Sequence, residues 1–130
     1  MLRKDYEKLL KWKNKTSRKP LLVLGVRQCG KTYLVKEFGS KEFENMAYIN
    51  FDGNKGLQSI FDYDFDINRI LDEIGSVVLN KKIIPGKTLL FLDEIQDCPR
   101  AIQSLTYFCE NLPELHVIAA GSLLGITLKE

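Results

Sequence analysis

A parallel α/β sheet covered by helices on both faces is the architecture that this sequence of 130 residues predicts. Three observations point to it. Short apolar runs at residues 21–24 (LLVL) and 89–92 (LLFL), as expected of strands buried on both sides, recur with the largely apolar stretches 47–51 (AYINF) and 115–120 (LHVIAA). Segments of helical periodicity separate those runs, which favours parallel strands joined by right-handed crossovers. A glycine-bracketed turn at residues 25–30 sits at the first strand–helix junction.

The elements follow in order. Residues 3–14 carry Tyr6, Leu9 and Leu10 at helical spacing, with Trp12 nearby, and predict a helix; residues 14–20 break the pattern and read as a loop. The first strand is 21–24. After the turn, residues 31–38 read as a helix that Gly39 is expected to terminate. The second strand, 47–51, closes on the turn residues Asp52, Gly53 and Asn54. Asp66 is placed to cap a helix in which Ile67, Ile70, Leu71, Ile74, Val77 and Val78 recur at three- and four-residue steps on an inner face. Residues 80–87 form a loop, and 89–92 the third strand. Pro99 opens a helix that runs to about residue 111 and turns Ile102, Leu105, Phe108 and Leu112 inward. The fourth strand, 115–120, ends at Gly121-Ser122. No internal repeat or low-complexity segment is visible.

Composition narrows the setting. Hydrophobic residues at 45% and charged residues at 28% fit a globular domain with one core. No apolar run approaches the roughly 20 residues of a membrane helix. The charged start MLRKDYEKLLKWKNK is not a secretory signal. Three cysteines (Cys29, Cys98, Cys109) and the one histidine, His116, lack the spacing of a zinc site or disulfide framework, so a reducing cytoplasm is the expected location. Residues 1–19 hold eight Lys or Arg against two acids, while the other 111 hold 11 against 15. The division expected is a basic N-terminal helix and loop, 1–19, followed by the core, 20–130. The basic arm reads either as a solvated helix face or as a nucleic-acid contact.

The stretch GVRQCGKT carries the most chemistry. Gly25, Val26, Arg27, Gln28, Cys29, Gly30, Lys31 and Thr32 match the spacing G-x-x-x-x-G-K-[ST]. Glycines let backbone N–H groups approach a row of phosphates, and a helix that starts just beyond adds its positive end. Lys31 is then expected to reach the β- and γ-phosphates, and the Thr32 hydroxyl to bind Mg²⁺. Downstream, TLLFLDEIQD runs four apolar residues into Asp93 and Glu94. Ionised groups at the end of a buried strand need partners. Beside bound nucleotide, Asp93 would hold Mg²⁺ and Glu94 would polarise an attacking water. Ser122, at the end of the fourth strand, is the candidate for a polar contact near the γ-phosphate.

Taken together, LGVRQCGKTYL, YINFD, LLFLDEIQ and AAGSLLG resemble the prokaryotic AAA-type ATPase domains of the additional-strand, catalytic-glutamate branch of P-loop NTPases, and more narrowly those whose ATPase half precedes a C-terminal domain of unknown function. The resemblance implies a three-layer αβα P-loop NTPase core with strand order 5-1-4-3-2. It assigns residues 25–32 to Walker A, Asp93 and Glu94 to Walker B and the catalytic glutamate, and Ser122 to sensor 1. Asn50 falls where some relatives keep an asparagine that orients the glutamate. Only four strands are found, and the fifth strand, the helical lid with its sensor-2 arginine and the C-terminal domain are not in these residues. The chain is therefore expected to be a truncated core from a longer ATPase.

The resulting expectation is an ATP-binding, Mg²⁺-dependent ATPase domain that drives conformational change in a longer protein, with weak turnover in isolation. Two alternatives stay open. One is a small P-loop kinase, against which the adjacent Asp93-Glu94 argues, since a kinase needs no activated water. The other is a nucleic-acid-binding module in which nucleotide is structural. The expected partners are ATP and ADP, a second copy through an unpaired first strand, and nucleic acid through residues 1–19; no membrane partner is expected.

Overall fold

The computed structural model describes residues 2–16, 18–25 and 30–122. Helix α1 (Leu2–Lys13) leads to β1 (Leu21–Gly25), α2 (Lys31–Glu42) and β2 (Asn45–Asn50). The short α3 (Lys55–Gln58) and a 3-10 turn (Ser59–Phe61) precede α4 (Ile67–Ile74), which continues as one π-helical turn (Gly75–Leu79). Then come β3 (Thr88–Asp93), a second 3-10 turn (Ile95–Asp97), α5 (Pro99–Asn111) and β4 (His116–Ser122). The four strands form one parallel sheet in the order β1-β4-β3-β2. That is the expected order without a fifth strand, and among the described residues β1 is paired on one side only.

Alternation along the strands sends side chains to two cores. Leu89 and Phe91 of β3, with Ile118 and Ala120 of β4, pack under α2 and α1 against Leu34, Val35, Phe38, Leu9 and Trp12. Leu90, Leu92, Val117 and Ala119 face the other way, against Phe61, Ile70, Ile74 and Phe108. Every residue of β3 and β4 is buried, as a continuous apolar run in the middle of a parallel sheet requires.

The basic N-terminal segment is tied into this body. Trp12 Nε1 donates to the Lys19 carbonyl at 2.7 Å. The Arg18 guanidinium donates to the carbonyls of Lys13, Lys15, Pro113 and Glu114. Tyr6 donates to Glu42 Oε2 at 2.9 Å across α1 and α2, and burial with that carboxylate pushes its hydroxyl up to about 12.

Three expectations need correction. Gly39 does not end α2, which runs on to Glu42. Its missing side chain serves close packing instead: a Cβ there would lie 2.6 Å from Met46 Sδ and 3.1 Å from Leu89 Cδ2. The helix after Asp66 is regular only to Ile74, and its π-helical turn leaves Val77 exposed and not on the inner face. There Gly75 lets the chain double back, since a Cβ would lie 2.5 Å from the Lys81 carbonyl oxygen. In α5 the fully buried face is Ala101, Ser104 and Phe108, and Ile102, Leu105 and Leu112 pack against the core from its margin. The Asp66 cap is as expected: its carboxylate accepts from the N–H groups of Asn68 and Arg69.

Candidate functional site

Parallel strands end on the same edge of a sheet, and here that edge gathers the sequence-predicted residues. Gly25 is the register partner of Ser122, and Asn50 is the partner of Asp93. Gly30 has a φ of 86°, a left-handed conformation suited to glycine, and it caps α2 directly before Lys31 and Thr32. Val26, Arg27, Gln28 and Cys29 lie outside the described residues.

Sixty-one residues of sequence separate Thr32 from Asp93, yet Thr32 Oγ1 donates to Asp93 Oδ2 at 2.9 Å. Asp93 is 2% exposed. Its burial is offset by three donors: Thr32, the Tyr48 hydroxyl at 2.8 Å to the same oxygen, and the Glu94 N–H at 2.9 Å to Oδ1. Tyr48 was not expected from the sequence. Its β2 position faces the first core, where its ring tilts against Phe91 with centroids 5.2 Å apart and carries Lys36 Nζ 4.1 Å above it. Burial and the bond to Asp93 drive its hydroxyl well above the usual tyrosine range, and the Asn50 side chain opposes that shift only slightly. The signal was present in YINFD: a hydroxyl two residues before the strand end, on the strand beside β3.

Glu94 departs from ordinary backbone geometry. Its φ of 53° and ψ of 47° are left-handed, a region costly for a residue with a Cβ. The turn redirects the chain out of β3 into the 3-10 turn, and Glu94 Oε1 accepts from Gln96 Nε2 at 2.8 Å. Gln96 Oε1 in turn accepts from the Ser122 N–H at 3.1 Å. Asn50 is at the same sheet edge, but its Oδ1 accepts from the Asp52 N–H at 2.9 Å and shapes the turn after β2.

Hard oxygen donors at Thr32 and Asp93 suit Mg²⁺, which takes one or two protein ligands and completes its shell with phosphates and water. No group of three or more His, Cys, Asp or Glu able to hold a metal occurs among the described residues. Beside this edge, a groove of about 410 Å³ runs along the open side of β1, between Leu9 of α1 and Leu34 of α2, and reaches Gly30 and Lys31. Among the described residues no helix is long and apolar enough to cross a membrane.

A four-stranded parallel sheet with a glycine-capped helix after β1, and acidic residues at the end of β3, defines a P-loop ATPase domain of AAA type. The chain belongs to the AAA domain family, whose model matches residues 17–130. Among solved structures it is similar to the RuvB Holliday junction branch migration motor of Thermotoga maritima, with a TM-score of 0.56 and 17% identity over 98% of this chain. It is also similar to PCH-2 of C. elegans, with a TM-score of 0.52 and 15% identity over 99% of this chain. These likenesses concern the fold. The chain spans 40% and 36% of those two proteins. A comparison with curated proteins finds none that matches.

Proposed function

We propose that this domain binds MgATP at the carboxyl edge of its sheet and hydrolyses it to drive movement in a longer protein. The observation that carries the reading is the Thr32–Asp93 hydrogen bond, which joins the end of the glycine loop to the end of β3. Thr32 and Asp93 would hold Mg²⁺, which when bound neutralises phosphate charge. Backbone N–H groups of residues 25–32 and the Lys31 ammonium bind the β- and γ-phosphates. Glu94 takes the proton of a water that attacks the γ-phosphorus; the bond to the bridging oxygen breaks, and ADP and phosphate leave. Ser122, beside Gly25, contacts the γ-phosphate. The setting is cytoplasmic.

Two variants test this. Lys31→Ala is expected to fold and to lose most MgATP affinity by calorimetric titration. Glu94→Gln in the full-length protein keeps binding and loses turnover by about 10²-fold or more, the scale of general-base catalysis. Equal affinity in Lys31→Ala and the parent would sink the phosphate-loop reading; undiminished turnover in Glu94→Gln would move the base elsewhere.

A further inference from the structure

We propose that Gln96 is the positioning residue for Glu94, a tether that fixes its carboxylate to the end of β4. This rests on the ATPase reading of the site.

The sheet itself creates the need for a tether. The β3–β4 ladder ends at Leu92 and Ala119, and β3 itself ends at Asp93, where it still pairs with β2, while β4 runs on to Ser122. On the β3 side, the last turn of β4 therefore faces the 3-10 turn Ile95–Asp97 and no strand. Gln96 fills that place. Its amide oxygen accepts from the Ser122 N–H at 3.1 Å, and its amide nitrogen donates to Glu94 Oε1 at 2.8 Å.

The polarity of the amide follows from its neighbours. A backbone N–H can only donate, so the oxygen of Gln96 must face Ser122. The nitrogen is then left for a carboxylate, which can only accept. A flipped amide would set donor against donor and acceptor against acceptor. Glutamine is thus the side chain that serves both ends, and glutamate would serve only Ser122. The left-handed backbone of Glu94 aims its side chain back over the turn, where the amide meets it.

The Asn50 Oδ1 is engaged by the turn after β2, through the Asp52 N–H. Gln96 lies two residues from Glu94 on the same turn.

Gln96→Glu and Gln96→Ala separate the two ends of the tether. In nucleotide-free protein, Ser122 amide exchange by NMR should rise about tenfold or more in Gln96→Ala, which removes the acceptor, and stay near the parent rate in Gln96→Glu, which keeps it. In full-length protein both variants should lower kcat for ATP by about tenfold to a hundredfold, as expected when a reacting group is misplaced, and leave KM nearly unchanged. Gln96→Met, of similar length, guards against effects of lost bulk and should behave as Gln96→Ala does. Parent-like kcat in Gln96→Glu would show that the glutamine merely supports β4 and would overturn the inference, as would parent-like Ser122 exchange in Gln96→Ala. A full-length parent that releases no phosphate from ATP fails differently: it overturns the ATPase reading and the catalytic half of the tether, while Ser122 exchange still reports the hydrogen bond.

Discussion

Tyr48→Phe removes one oxygen atom and leaves the ring to pack on Phe91 and to carry Lys36. The lost contact is the 2.8 Å hydrogen bond to Asp93 Oδ2. A hydrogen bond to a charged partner contributes about 1.5–3 kcal/mol, and Asp93 keeps two other donors, so the lower end applies, about 1.5 kcal/mol. For a domain of this size that lowers the melting temperature by about 5 °C. Calorimetry or circular dichroism on the nucleotide-free chain reads it directly. The same substitution in an Asp93→Asn background isolates the pair, because the neutral amide no longer offers a charged acceptor. A coupling energy of about 1 kcal/mol is expected between the two sites. If Tyr48→Phe costs as much in the Asp93→Asn background as in the parent, the hydroxyl is not supporting the carboxylate, and the account of how Asp93 tolerates burial is wrong.

Three further outcomes follow from the fold. Burial, with a smaller push from the Arg18 and Lys13 charges, holds the His116 imidazole below its ordinary value of 6.5, against the opposing pull of the Lys13 carbonyl. The proton then favours the unfolded chain, so stability is fully present above that ordinary value and is lost as pH falls below it; His116→Phe should flatten the slope of melting temperature between about pH 7.5 and pH 5.5, and an unchanged slope would assign it to other groups. Gly75→Ala, whose Cβ meets backbone, should destabilise by about 2–3 kcal/mol, and Gly39→Ala, whose Cβ meets a flexible methionine and which gains helix propensity, by about 1 kcal/mol or less; denaturant melts giving the reverse order would refute the packing argument. The open side of β1, with Leu22 42% exposed, should make the isolated chain self-associate at high concentration and Leu22→Lys should suppress it; a monomer whose β1 amides exchange slowly would show that the edge is already covered.

Long apolar runs were easy to read because burial on both faces leaves no polar positions to confuse the period. β1 and β3 were legible in this way, while the helix opened by Pro99 and the Asp66 cap were read from their terminal residues. Gly39 was not, because a glycine that ends a helix and one that admits a methionine from a neighbouring strand look alike in one dimension. The π-helical turn was hidden for a related reason: Val77 keeps helical spacing in sequence, and only the return of the chain over Gly75 turns it outward. At the site, Thr32 and Asp93 were singled out by motif spacing, and a hydrogen bond that the spacing did not announce joins them. Tyr48 and Gln96 act through strand neighbours and a turn, and neither relation has a spacing of its own in the chain.

Glu94 sits in a backbone conformation that glycine or asparagine would occupy at less cost. If Glu94 is the general base proposed above, folding and chemistry ask for different amino acids at one position. Glu94→Gly relieves about 1–2 kcal/mol of conformational strain in the folded chain and gives back part of it through the freer unfolded state. The expected result is a slightly sturdier domain that lacks the Glu94 carboxylate. On the proposed reading, in which Glu94 activates the attacking water, Glu94→Gly is the substitution by which an experimenter could separate the holding of nucleotide from its hydrolysis.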